Sequence, residues 1–120
     1  MILGEFNSRG ELLFEIGLLS ADGDVIPVQA ILDTGFTGWL AIDKQDALSL
    51  GWRVESTNRD MQTAQGEVEF KLYEGNVLLD EQQFTIEVLG GEELDSILLG
   101  VNWLQIKRLV AVPTGVLTLG

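Results

Sequence analysis

Two apolar runs, Glu11 to Ser20 and Val25 to Leu32, flank the segment Ala21-Asp22-Gly23-Asp24. Asp-Gly between such runs is a strong hairpin signal, because the tight turn needs positive φ angles that Gly and Asp tolerate. A strand pair is therefore expected over most of residues 11–32. Pro27 cannot donate to a ladder, so it places part of the second arm at a sheet edge or a bulge. Fourteen glycines in 120 residues point the same way, toward many turns and an all-β chain rather than a helix bundle.

The rest of the chain continues in short segments. Trp39 to Ile42 reads as a strand. Asp43 follows as a helix N-cap, with Asp46 at N3 of a capping-box-like pattern, and the helix runs from about Lys44 to Leu50 and stops at Gly51. Val54 to Gln62 is extended and Thr63-Ala64-Gln65-Gly66 is a turn. Glu67-Val68-Glu69-Phe70-Lys71-Leu72 alternates charged and apolar residues, the pattern of a strand with one wet face. Glu74-Gly75-Asn76 reads as a bulge or turn. Val77 to Leu79 and Gln83 to Leu89 are strands joined near Asp80-Glu81. Gly90-Gly91-Glu92-Glu93 reads as a loop, and Ser96 to Leu99 as a strand ending at Gly100. Val101 to Lys107 suits one or two helical turns. Leu109 to Val112 and Val116 to Leu119 are strands broken by Pro113-Thr114-Gly115. With no repeat or linker, residues 1–120 are expected to form one domain with one or two short helices.

Charge and composition exclude several functions. Seven basic against nineteen acidic residues give a net charge of −12. Such a surface repels phosphate backbones and anionic membranes, so neither nucleic acid nor membrane is an expected partner. There is no cysteine and no histidine. Disulfides, Cys/His zinc sites and any Ser-His-Asp triad within the chain are ruled out. Acid–base chemistry then falls chiefly to carboxylates, with Lys or Tyr as lesser candidates. No cofactor or metal is expected. Asp22-Gly23-Asp24 lacks the further oxygen ligands of a calcium loop, and Gly90-Gly91 lacks the Gly-Lys-Ser/Thr of a phosphate loop. Trp39, Trp52 and Trp103 read as core or interface packing rather than as a binding groove. Met1-Ile2-Leu3 runs at once into Gly4-Glu5, so no signal peptide is expected and cytoplasm is the default.

One tripeptide carries chemistry. Asp33-Thr34-Gly35 directly follows Val28-Gln29-Ala30-Ile31-Leu32. A carboxylate at the end of an apolar strand is expected to be partly desolvated, and proteins accept that cost mainly at functional sites. Thr34 offers a short hydroxyl that can cross-link loops, and Gly35 lets another backbone approach. Asp-Thr-Gly alone is weak evidence, since chance places it in about 2–3% of chains of this length and Asp and Gly are ordinary turn formers.

The wider segment Ile31-Leu32-Asp33-Thr34-Gly35-Phe36-Thr37-Gly38 resembles the active-site segment of retropepsin-like aspartic proteases, especially single-domain bacterial forms. Leu98-Leu99-Gly100-Val101-Asn102-Trp103-Leu104 resembles that family's second signature, two apolar residues and a Gly before a short helix. The spacing, 100 − 33 = 67 positions, is about what the fold uses. Thr63 to Gly66 lies where the family has its flap hairpin. The resemblance runs from Leu12 to Leu119.

What it implies is a closed β-barrel, half of an acid protease, working as a homodimeric aspartic endopeptidase on a peptide or protein substrate. Asp33 would be catalytic. Thr34, Gly35, Leu98, Leu99 and Gly100 would support the active-site loop. Phe36, Thr37, Ala64, Gln65 and Gly66 would bind substrate or form the flap, and Met1 to Phe6 with Val116 to Gly120 would interleave across the dimer. A bulky Phe36 and a flap with one Gly depart from the retroviral pattern. Because the chain holds a single Asp-Thr-Gly, the second carboxyl must come from another copy. Two other readings stand beside this one. In the first, a protease-like domain serves as a dimerisation or peptide-binding module. In the second, the chain is an unrelated acidic β-barrel adaptor with a solvent-exposed Asp33.

Overall fold

The computed structural model describes residues 1–63 and 66–120. The element order is β1 (Ile2–Phe6), β2 (Leu12–Leu19), β3 (Val25–Asp33), β4 (Leu40–Asp43), α1 (Lys44–Ser49), β5 (Arg53–Thr63), β6 (Gly66–Leu79), β7 (Gln82–Gly91), β8 (Ile97–Gly100), a 3-10 turn (Val101–Gln105), β9 (Leu109–Val112) and β10 (Val116–Leu119).

The Asp-Gly hairpin forms as expected, with β2 and β3 antiparallel from Leu12↔Leu32 to Leu19↔Val25. Pro27 lies where β3 has β2 on one side only, because β8 joins β3 later, from Ala30 to Asp33. The missing N–H of Pro27 therefore costs no ladder bond. Following the pairings β2-β3-β8-β4-β7-β6 returns to β2, since β6 also pairs β2 at Gly17↔Leu78. The six strands close a barrel. Its interior holds Phe14, Leu40, Ile42, Val77, Leu79, Val88, Leu99 and Trp103, all at most 1% exposed. Trp103 donates its indole N–H to the Trp39 carbonyl at 2.7 Å, and Trp52 donates to that of Leu19 at 2.7 Å. All three tryptophans pack in or against this core.

Two expectations need correction. Glu74-Gly75-Asn76 is neither bulge nor turn, since β6 runs unbroken through it. Gly90 and Gly91 belong to β7 rather than to a loop, pairing in parallel with Ile42 and Asp43. In each case the glycine answers to packing. A Cβ would stand 2.6 Å from Val88 at position 75, 2.5 Å from Tyr73 at 90 and 2.6 Å from Phe70 at 91. Within one chain, β1 pairs with β10, Ile2↔Leu119 and Leu3↔Thr118.

Helix α1 is capped by Asp43, whose side chain accepts from the Gln45 N–H at 3.1 Å. Its other carboxylate oxygen accepts from the Leu94 N–H at 3.1 Å, tying the helix start to the loop before β8. The β6–β7 turn is made by Asp80 and Glu81, both at positive φ (54° and 62°), as a two-residue hairpin of this hand requires.

Candidate active site

Asp33 is the last residue of β3. Its backbone is set by parallel pairing with β8: Ile31↔Leu98, Leu32↔Leu99 and Asp33↔Gly100. The two segments singled out in the sequence are therefore adjacent strands. The chain then leaves β3 through Asp33–Trp39, and the start of the 3-10 turn is laced into this loop. Gly100 N–H donates to Trp39 O at 3.0 Å, Val101 N–H to Phe36 O at 2.9 Å and Asn102 N–H to Gly38 O at 3.2 Å.

Gly100 makes the lacing possible. A Cβ there would lie 1.9 Å from the Gly38 carbonyl oxygen, a distance no side chain can occupy. Leu99 is fully buried beneath the loop, and Leu98 is partly buried on the opposite face of β8.

Asp33 is half-buried as a residue, and its Oδ1 accepts from the Gly35 N–H at 2.9 Å. That bond turns the side chain back over its own loop and fixes its orientation. Thr34 and Gly35 are exposed at the surface of the chain, so the loop carrying the carboxylate is open to a neighbour. Beside Asp33 lies a cavity of about 300 Å³ lined by Gly35, Phe36, Ala41, Met61, Phe70, Leu94 and Leu98. Apart from Asp33, the lining side chains are apolar. Behind it Phe36, Ala41, Phe70, Leu72 and Leu89 form a second buried cluster, separate from the barrel interior.

Of the sequence candidates, Asp33, Gly35, Phe36 and Leu98 meet at this cavity. Phe36 is 7% exposed and forms part of its floor. Thr37 is exposed and does not line it. Ala64 and Gln65 lie outside the described residues. Gly66 pairs with Thr63 at the end of the β5–β6 hairpin and has φ +109°. Met61, Phe70, Ala41 and Leu94 line the cavity without having been singled out. The alternation from Glu67 to Leu72 does mark Phe70 as a dry-face residue. Only the register of β5 on β6, with Met61↔Val68 and Arg59↔Phe70, brings Met61 and Phe70 together over Asp33.

Away from the residues that line the cavity, Lys44 of α1 forms an ion pair with Glu92. The Glu92 carboxylate, by hydrogen bonding and then by charge, raises the Lys44 ammonium above its ordinary value.

This arrangement defines a fold with known representatives. Over 99% of the chain it is similar to a retropepsin-like aspartic protease from Rickettsia conorii, at 22% identity, a TM-score of 0.72 and 89% coverage of that chain. It is also similar to EIAV protease complexed with the inhibitor HBY-793, at 17% identity and a TM-score of 0.64, covering 83% of this chain and 90% of that one. No protein-family model and no curated protein matches the chain. The chain thus has the retropepsin-like fold, a closed β-barrel, as its sequence motifs imply.

Proposed function

We propose that this chain is one half of an aspartic endopeptidase, and that two copies place their Asp33 carboxyls together to hydrolyse a peptide bond. The observation that carries the reading is the placement of Asp33 itself. In a fold shared with aspartic proteases, a single oriented carboxylate ends β3 beside an apolar cavity, on a loop whose Thr34 and Gly35 are exposed.

One carboxyl cannot be proton acceptor and proton donor at once. Two held a few ångströms apart resist double ionisation and share a proton, and the pair titrates as a unit. The ionised Asp33 takes a proton from water, whose oxygen attacks the peptide carbonyl carbon. The protonated Asp33 of the other copy gives its proton to the carbonyl oxygen. A tetrahedral diol results. It collapses as a proton passes to the amide nitrogen, the C–N bond breaks, and acid and amine leave. The apolar cavity suits a hydrophobic side chain next to the cleaved bond, and the β5–β6 hairpin suits an extended peptide held by backbone hydrogen bonds.

The test is subunit poisoning. Wild-type chain is mixed with increasing Asp33→Asn chain, and peptide cleavage is followed at mildly acidic pH. Because each mixed dimer holds one carboxyl, a tenfold excess of the variant is expected to cut cleavage to about one tenth through mass action. Cleavage that stays proportional to wild-type chain whatever the excess would contradict a shared site. A rate still rising above neutral pH would contradict the shared proton.

A further inference from the structure

The loop that carries Asp33 is also held from inside the barrel, by a side chain to which the proposed chemistry gives no part. The carbonyls of Phe36, Gly38 and Trp39 each take one backbone donor from residues 100–102. Trp39 takes a second donor. Its oxygen accepts from the Gly100 N–H at 3.0 Å and from the Trp103 indole N–H at 2.7 Å, which uses both lone pairs. Among the described residues, no other side chain from outside Asp33–Trp39 is hydrogen-bonded to that loop.

Trp103 is itself fixed on every side. It is fully buried. Its ring meets Phe84 of β7 edge-on at 5.1 Å and Trp39 edge-on at 5.0 Å. Its own carbonyl accepts from the Ile106 and Lys107 N–H groups at 3.1 and 2.8 Å, which closes the 3-10 turn. A close-packed interior of this kind passes a displacement on rather than absorbing it. From Trp39 back to Asp33 the fastening continues. Gly38 is tied to Asn102 and Phe36 to Val101, and the Phe36 N–H donates to the Asp33 carbonyl at 3.1 Å. The Phe36 ring lies against Gly38, where a Cβ would stand 2.7 Å from it. The Gly35 N–H then holds the carboxylate.

Trp52 supplies the comparison. It too is buried, and its indole donates to the Leu19 carbonyl at 2.7 Å. A buried indole N–H needs an acceptor somewhere, so the bond alone says nothing of function. The two tryptophans differ in where the acceptor lies. Leu19 is at the end of the β2–β3 ladder far from Leu32 and Asp33, whereas Trp39 ends the loop that Asp33 begins.

We propose that Trp103 is a positioning residue for Asp33, its indole N–H setting the place of the active-site loop through the Trp39 carbonyl. The proposal rests on the half-site reading above, in which two carboxyls share one proton. Such groups must be held to within about 0.5 Å, and a misplacement of about 1 Å costs on the order of 100-fold in rate.

The experiment compares Trp103→Phe, which keeps an aromatic ring and loses the N–H, with Trp52→Phe, which loses the same kind of bond elsewhere. Peptide cleavage is measured where native mass shows the dimer, and amide hydrogen exchange is followed by NMR in the same samples. In Trp103→Phe, kcat is expected to fall about tenfold or more while KM stays within about twofold. The Gly100 amide is expected to exchange at least about tenfold faster relative to the Leu32 amide, which reports global unfolding. In Trp52→Phe, kcat and that exchange ratio are expected to keep their wild-type values. A kcat in Trp103→Phe no lower than in Trp52→Phe, or an unchanged exchange ratio, overturns the proposal. Should Trp103→Phe not fold, the wild type decides. Its Trp103 indole N–H and Gly100 amide should open together, with equal protection after correction for intrinsic rates. A Gly100 amide that opens while the indole stays protected overturns the proposal. A wild type that never cleaves removes the peptidase reading, and exchange alone then decides whether Trp103 holds the loop. Cleavage with equal kcat in the two variants leaves the peptidase reading and removes this one.

Discussion

Leu98 and Met61 face the same cavity from opposite walls, and the two walls are fastened differently. Leu98 sits on β8, which has β3 on one side and β4 on the other, and the loop beyond it is laced through Gly100. Met61 sits on β5, an end strand that among the described residues pairs with β6 alone. β6 meets β7 only from Lys71 onward, and, among the described residues, residues 66–70 pair with β5. One wall is part of the barrel and the other is a ribbon projecting from it. Under the proposed function the difference would divide the roles: the carboxylate would need a fixed position, and a substrate of peptide size a wall that opens to admit it.

Substituting one glycine on each wall sharpens the contrast. Gly100→Ala must push a methyl group into the Gly38 carbonyl, and β3, β8 and the loop are all fixed by other bonds. A loss of more than about 3 kcal/mol is expected in urea unfolding, or no folded protein at all. Gly66→Ala meets open space and has only its φ of +109° against it, so a loss of about 1–2 kcal/mol is expected. Equal losses would break the comparison. Hydrogen exchange reads the same difference without mutation. The amides of Leu32 and Leu99 should exchange only with global unfolding, and those of Val68 and Phe70 on the order of 100-fold faster through local opening.

Met61→Ala probes the ribbon's function. Met61 is partly buried against the second cluster, so stability should fall by less than about 1 kcal/mol while KM for peptide rises and the pH profile keeps its shape. A change in the profile instead would mean that the hairpin helps set the protonation of the dyad.

The smallest effect belongs to the Lys44–Glu92 pair. Glu92 raises the Lys44 pKa, so this contribution is present at neutral pH, below the ordinary Lys range of about 10.4, and is lost as pH rises through the folded-state value. At neutral pH Glu92→Gln should shift stability little, because the pair is exposed. The gap from wild type should close further in alkaline solution. A gap that widened there would give the pair a different role.

Legibility in the sequence followed the range of the forces involved. Strands bounded by local turn chemistry were readable to the residue: β9 and β10 end where Pro113-Thr114-Gly115 intervenes, and Asp43 caps its helix. Glycines were misread where their reason was distant. Gly75, Gly90 and Gly91 suggest turns locally but sit inside strands to make room for Val88, Trp52, Tyr73 and Phe70. Asp33 and Gly100 were found as a pair through the resemblance of their two segments to one family's signatures, and the structure sets those segments on neighbouring strands. Met61 and Leu94 were missed, since strand register and the fold of the loop before β8 place them at the cavity and neither leaves a mark in the local pattern.

The most direct test of the account is peptide cleavage by wild type and by Asp33→Asn, at concentrations where native mass shows a species of twice 13.2 kDa, with and without a statine-type inhibitor. The account predicts a wild-type dimer that cleaves and is stopped by the inhibitor, and an Asp33→Asn dimer of the same mass and spectrum that does not cleave. Cleavage surviving the substitution, or a confirmed wild-type dimer with no cleavage of any peptide in a broad library, would contradict it.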